Sequence, residues 1–182
     1  MSHTAWIGNI AMACALIGMS PAIAADKAEI DKDAQAALSS LYASVPAAKE
    51  LGTKASAILV FPKITKAGLG IGGLHGDGAL IKSGKSVAYY NTSGGSFGLQ
   101  AGVQTYGYAL FLMNEKAVQA LDSAKGFEIG VGPSVVLVDE GKAKQLTTTT
   151  TKDDIYAFVF GQKGLMAGIG IQGNKITKIN PK

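Results

Sequence analysis

The sequence predicts an α+β fold in which a long N-terminal helix packs on a strongly curved or barrel-like antiparallel sheet of about eight or more short strands. Three observations predict this class. Residues 26–51 are the only long stretch with apolar positions at three- and four-residue steps. From residue 57 onward, short β-type runs alternate with turns. Of the 24 glycines, 21 lie between Gly68 and Gly173, where a bare backbone lets a strand bend or lets another backbone approach closely.

The helical segment has clear boundaries. Acidic residues crowd the first turns of residues 26–51, where negative charge complements the helix dipole. Pro46 predicts a break or kink, and Gly52 can end the helix. Asn114 is a good N-cap, so we expect a second helix at residues 115–124.

The strand predictions follow apolar runs bounded by turn residues. Residues 82–85 are predicted to form the turn of a hairpin between residues 78–81 and 86–90. The remaining strands are predicted at residues 57–61, 97–103, 106–113, 129–138, 146–151, 155–160, 165–172 and 175–179.

The first 25 residues differ chemically from the rest, since they contain no Asp, Glu, Lys or Arg. The mostly apolar run from residue 5 to residue 19 has the length of a signal-peptide core and is shorter than a membrane span. The A-x-A pattern that ends at Ala24 predicts a signal peptide over residues 1–24, with cleavage after Ala24 or Ala25. We therefore expect a single domain over residues 25–182, exported and either periplasmic or associated with the outer membrane.

Two alternatives remain for this segment. It could be a buried N-terminal helix of the domain. Cys14 could also be the acylated cysteine of a lipoprotein, although it lies inside the apolar run and lacks a leucine three places upstream.

Composition excludes several kinds of site. All 17 basic residues are lysine, so bidentate arginine recognition of phosphate or bases is absent, and nucleic acid is not an expected partner. One cysteine and two histidines predict no disulfide within the chain and no metal site. The G-x-G-x-x-G match at residues 68–73 and the degenerate Walker pattern at residues 79–86 are followed by β-type sequence rather than by a helix, which predicts no nucleotide and no cofactor.

The sequence also predicts no enzyme and no catalytic residue. His75 and Asp77 could pair an imidazole with a carboxylate, and a hydrolase that uses them is the remote alternative. A turn histidine held by a neighbouring acid is the simpler interpretation.

Lysine distribution is more informative. Residues 54–85 carry a net charge of +4 and residues 142–182 a net charge of +5. Such lysine fields suit anionic lipid headgroups if the turns that carry them lie at one end of the sheet. Lysines scattered only for solvation are the alternative. The candidate lipid-binding residues are Lys63, Lys66, Lys82, Lys85 and Lys163.

Four segments in order resemble the SYLF-domain family over about residues 28–179. They are AILVFPKITKAGLGIGG with GDGALI, GGSFGLQAGVQTYGYALFLMN, GFEIGVGPSVV and DDIYAFVFGQKGLMAGIGIQG. Eukaryotic members bind phosphoinositides, and some contact actin; bacterial members are exported single-domain proteins. The resemblance implies lipid binding as a class, with the headgroup open.

These observations together predict a non-enzymatic lipid-binding protein of the bacterial cell envelope that takes anionic phospholipid as its partner. An envelope scaffold or protein-interaction module without a lipid ligand is the alternative.

Overall fold

The computed structural model describes residues 26–123, 125–146, 152–161, 164–166 and 169–182. Several sequence predictions lie outside the described residues. They are the signal peptide with Ala24, Ala25 and Cys14, the predicted strand after residue 146, and Lys163.

The N-terminal segment forms two helices, as the proline predicts. Helix α1 spans Lys27–Ser44, and the Asp26 carboxylate caps it by accepting a hydrogen bond from the Ala28 backbone amide at 3.3 Å. Val45 is extended, with φ −131°, and helix α2 follows over Pro46–Gly52. Proline at the first position of α2 loses no hydrogen bond, because that amide has no partner within a helix.

Two long strands form an antiparallel hairpin that dominates the sheet. Strand β1 spans Ala57–Lys82 and strand β2 spans Lys85–Leu112. Ser83 and Gly84 join them with φ values of 51° and 76°, the left-handed pair that a tight hairpin turn requires. The hairpin turn is confirmed, but the flanking strands are longer than predicted. The short runs expected at 57–61 and 78–81 are parts of one 26-residue strand, because the glycines between them remain in extended pairing.

The hairpin bends back on itself. A Cβ built on Gly76 would lie 2.7 Å from the Lys63 carbonyl oxygen, and one built on Gly78 would lie 2.6 Å from a Phe61 ring carbon. Thirteen residues of straight strand would separate Gly76 from Lys63 by roughly 40 Å. The contact therefore requires a sharp bend, and the pairing register shifts between Gly68 and Gly70 within the intervening segment.

The remaining elements complete the sheet along β2. In chain order they are α3 (Glu115–Leu121), β3 (Phe127–Glu128), β4 (Val135–Val138), α4 (Glu140–Gln145), β5 (Ile155–Gly161), β6 (Gly164–Leu165) and β7 (Lys175–Ile179). Within the described residues the sheet has seven strands in the order β3-β7-β2-β5-β4, with β1 also paired to β2 and β6 to β5. Every pairing is antiparallel except that of β4 with β5. The α+β class with a strongly curved sheet is confirmed.

Several elements differ from the sequence prediction. The strand expected over residues 165–172 is limited to Gly164–Leu165, since residues 166 and 169–172 are not in a strand. The strand expected over residues 129–138 begins only at Val135, because Gly130 and Gly132 have φ values of 100° and 99° and form turns. The second helix ends at Leu121 rather than at residue 124. Helix α4 was not predicted. Asp139 caps it by accepting a hydrogen bond from the Lys142 amide at 2.8 Å.

Both faces of the sheet are buried around the first half of the hairpin. Alternate residues such as Leu59 and Phe61 point into an interior that Leu80 and Tyr108 also fill. The intervening residues, such as Val60, pack on the outer face against α1 and α2. This strict alternation is the period-2 pattern of a strand covered on both sides.

Candidate functional site

The hairpin formed by β1 and β2 is strongly depleted in acidic residues. Between Glu50 and Glu115 the only acidic residue is Asp77, whereas the same stretch has five lysines. Four of these lysines, Lys63, Lys66, Lys82 and Lys85, are the sequence-predicted lipid contacts that the structure describes. The hairpin, Ala57–Leu112, therefore has a net positive charge.

Lys63 and Lys66 lie on β1 near the first irregularity in its pairing, which falls between Phe61 and Ile64. Ile64 is fully buried, Lys63 is exposed and Lys66 is half-buried opposite Gln104. None of the ion pairs formed by the described residues includes either lysine. These two positive charges are therefore available to an external anion.

Lys82 and Lys85 lie at the hairpin turn and face each other across it. The turn is tied to helix α1, because the Gln35 side-chain amide donates to the Gly84 carbonyl at 3.2 Å. Lys82 forms an ion pair with Glu115 at 3.0 Å, which offsets part of its charge.

The structure does not bring the two lysine pairs together. After the bend, Gly76 lies against Lys63 and the strand continues away toward Glu115. Lys82 is then about six residues of strand beyond Gly76, or roughly 20 Å. The sequence identified the four residues but could not reveal this separation, because it results from the bend.

The bend carries two exposed apolar side chains. We call its described part the hairpin corner: residues 68 and 71–73 of β1 with residues 94, 95, 102 and 103 of β2. Ile71 and Val103 belong to it and are 73% and 74% exposed. Single exposed apolar side chains are common on protein surfaces, but two of them on the paired strands of one bend are a candidate contact surface. Val103 ends the strand predicted over residues 97–103, and Ile71 belongs to none of the predicted strands.

The histidine and the acid of the hydrolase alternative lie on β1, across from Asn91 of β2. The His75 Nε2 is 3.9 Å from the Asp77 Oδ1. The Asn91 side-chain nitrogen donates to the same Asp77 oxygen at 2.7 Å and to the Gly76 carbonyl at 3.1 Å. It also lies 3.2 Å and 3.3 Å from the two ring nitrogens of His75. The shorter contact of Asp77 is therefore the one with Asn91, which indicates that the cluster holds β1 and β2 together.

A second polar cluster lies inside the sheet and was not predicted. The Tyr108 hydroxyl donates to the Thr92 hydroxyl at 2.6 Å, and both residues are fully buried. Burial is the main cause of the raised pKa of Tyr108. Tyr106 and Asn174 each bury a side-chain polar atom that has no hydrogen-bond partner among the described residues. A buried hydroxyl or amide without a charged neighbour gives no signal in sequence patterns.

A third polar cluster holds Lys178, one lysine of the positively charged stretch 142–182. Asp122 accepts hydrogen bonds from the Lys178 ammonium at 2.8 Å and from the Tyr90 hydroxyl at 2.9 Å. The Lys178 hydrogen bond is the main reason that the pKa of Asp122 is lowered. The positive charge of Lys178 is thus partly offset within the domain.

No helix in the described part of the chain combines the length and apolar character needed to cross a membrane. Residues 26–123 and the later described segments also contain no group of three metal-ligating side chains.

Comparison with known families agrees with the resemblance read from the sequence. Residues 93–181 match the sequence model of the Ysc84 family, described as Las17-binding protein actin regulator. The match begins in the middle of β2 and includes every later strand. No curated protein matches the chain significantly. Over residues 93–181 the chain is therefore similar to the Ysc84, or SYLF-domain, family.

Proposed function

We propose that this domain is a non-enzymatic binding protein that associates with anionic phospholipid through the lysines of its β1–β2 hairpin. The observation that carries the proposal is the pair Lys63 and Lys66, two lysines that form no ion pair with any described residue, in a hairpin with a single acidic residue. Lysine is a compact point charge on a flexible stem, which suits a fluid and heterogeneous headgroup layer.

The attraction is electrostatic, so it has a predictable size and salt dependence. Each lysine near an anionic surface contributes about 1 kcal/mol, which is about fivefold in affinity. The field is screened over about 8 Å at physiological salt, so binding weakens as salt rises. Lys82 contributes less than Lys63, because Glu115 already lies 3.0 Å from its ammonium group.

The test is co-sedimentation with vesicles of phosphatidylglycerol and phosphatidylcholine, compared with vesicles of phosphatidylcholine alone. We expect binding only to the anionic vesicles, with about a 30-fold loss in the double variant Lys63→Gln/Lys66→Gln. The matched control is Lys116→Gln/Lys125→Gln, which removes the same charge from exposed positions outside the hairpin. Equal binding to both kinds of vesicle, or an equal loss in the control, would refute the assignment to the hairpin.

A protein partner without lipid is the second candidate. It is supported by the family description, Las17-binding protein actin regulator. The direct test is co-sedimentation with purified filamentous actin in the absence of lipid. Saturable binding to actin together with no binding to anionic vesicles would favour this candidate over the first.

We also propose that the protein is exported to the cell envelope and performs no catalysis. Mass spectrometry of the protein from an envelope fraction should find a chain that begins at Ala25 or Asp26. An intact Met1, or a lipid-modified Cys14, would contradict the proposed cleavage. Ester or phosphoester turnover that disappears in His75→Ala would contradict the proposal of no catalysis.

A further inference from the structure

We propose that the hairpin corner penetrates the surface of an anionic bilayer and places Ile71 and Val103 at the boundary of the acyl chains. This inference rests on the proposed lipid-binding function and adds an apolar contact to its electrostatic one. Lys63 and Lys66 would then contact headgroups while the corner contacts the layer beneath them.

The first argument is exposure. Ile71 and Val103 are the two most exposed large apolar side chains in the described part of the chain, at 73% and 74%. They lie on the two strands of one hairpin, since Ala67 pairs with Val103 and Ile71 pairs with Phe97. Two such side chains on one bend of the hairpin would lose contact with water together if that bend met an apolar phase.

The second argument is that part of the corner is uncovered, although a Cβ built on Gly94 would lie 2.8 Å from the Asn174 Oδ1. A Cβ built on Gly95 or on Gly102 would meet no heavy atom within 4 Å, and one built on Gly73 would meet only the Gly94 carbonyl oxygen, at 3.9 Å. Helices α1 and α2 pack instead on residues such as Val60 and Phe111.

The third argument is charge, which selects the partner. Lys66 pairs with Gln104, next to Val103, and the flanking stretches 51–76 and 78–114 contain no acidic residue. An apolar corner with cations behind it complements an anionic bilayer. A second copy of the same surface would bring like charges together, which disfavours self-association through the corner.

The chain offers a clean fluorescent reporter. Trp6 is its only tryptophan, so a Trp6→Phe background leaves one reporter wherever a tryptophan is introduced. We place it at the corner with Ile71→Trp and at a matched exposed position with Val131→Trp. Val131 is 62% exposed and lies in the turn between Gly130 and Gly132, outside the corner.

The measurement uses full-length protein and vesicles of phosphatidylglycerol and acyl-brominated phosphatidylcholine. We expect a blue shift and strong bromine quenching for Ile71→Trp, and little of either for Val131→Trp. Association through the N-terminal segment would occur in both variants, so the difference between them reports on the corner. Equal quenching of the two reporters, or none in either while the protein is bound, overturns the proposal.

A second variant removes the apolar contact without adding a reporter. Ile71→Ser/Val103→Ser should bind the anionic vesicles about 100-fold more weakly, from about tenfold for each aliphatic side chain. Its melting temperature should be unchanged, because both side chains are already exposed. If the double variant binds like the unmodified protein, the corner does not insert but the lysine-based function stands. If the unmodified protein binds no anionic vesicle, both proposals fail.

Discussion

The bend of the hairpin makes a strong prediction about a single methyl group at Gly76. A Cβ at this position would lie 2.7 Å from the Lys63 carbonyl oxygen, 2.9 Å from the Ile64 Cγ1 and 3.1 Å from the Ile64 Cα. Two of the three atoms belong to the backbone, and the Ile64 side chain is fully buried. None of them can move away by a simple change of rotamer.

Gly76→Ala therefore forces the two halves of β1 apart. Overpacking of this kind costs about 1–3 kcal/mol, and about 2–4 °C in melting temperature for each kcal/mol in a chain of this size. We expect a fall of roughly 2–12 °C, measured by circular dichroism or calorimetry on the full chain.

Gly95→Ala is the matched control from the same hairpin. Its added Cβ meets no heavy atom within 4 Å, so the melting temperature should stay the same or rise slightly, since alanine reduces the entropy of the unfolded chain. If both variants had the melting temperature of the unmodified protein, the inferred close packing of the two halves of β1 would be wrong.

Two further predictions concern tyrosines on either face of the sheet. Tyr108→Phe removes the 2.6 Å hydrogen bond to Thr92 and leaves a buried hydroxyl without that partner, so we expect urea denaturation to show a loss of about 1–3 kcal/mol in unfolding free energy. Burial and then a hydrogen bond to Asp31 raise the pKa of Tyr89 from 10.0 to about 12. The neutral phenol is the favoured form in the folded state, so its contribution to stability is complete below pH 10 and is lost between pH 10 and about 12. Tyr89→Phe should flatten the decline in melting temperature over that range, and an unchanged slope would contradict the assignment.

The helices and the hairpin turn could be predicted because their signals are local. Pro46 interrupts the helical segment at its own position, so α1 ends at Ser44. The Asn114 side chain accepts a hydrogen bond from the Ala117 amide at 2.9 Å, as its position predicts. The residues of the hairpin turn, Ser83 and Gly84, likewise determine its conformation. In each case the residues that carry the pattern also form the contact.

The path of β1 could not be predicted, because glycine permits extended pairing, bends and turns alike. Gly76 and Gly78 make room for a crossing backbone, whereas Gly130 and Gly132, in a similar Gly-x-Gly pattern, form turns. The difference depends on what packs against each glycine, and that information lies in distant segments. For the same reason the sequence identified Lys63 and Lys82 as candidates but did not reveal that they lie apart.

The bend also separates the residues that stabilise the domain from those proposed to bind. Leu59 and Phe61 are buried where the two halves of the hairpin pack together, so substitutions there affect folding first. Ile71 and Val103 lie at the corner, where they contribute little to the core. The proposed contact with a bilayer can then be altered at the corner with little change in stability.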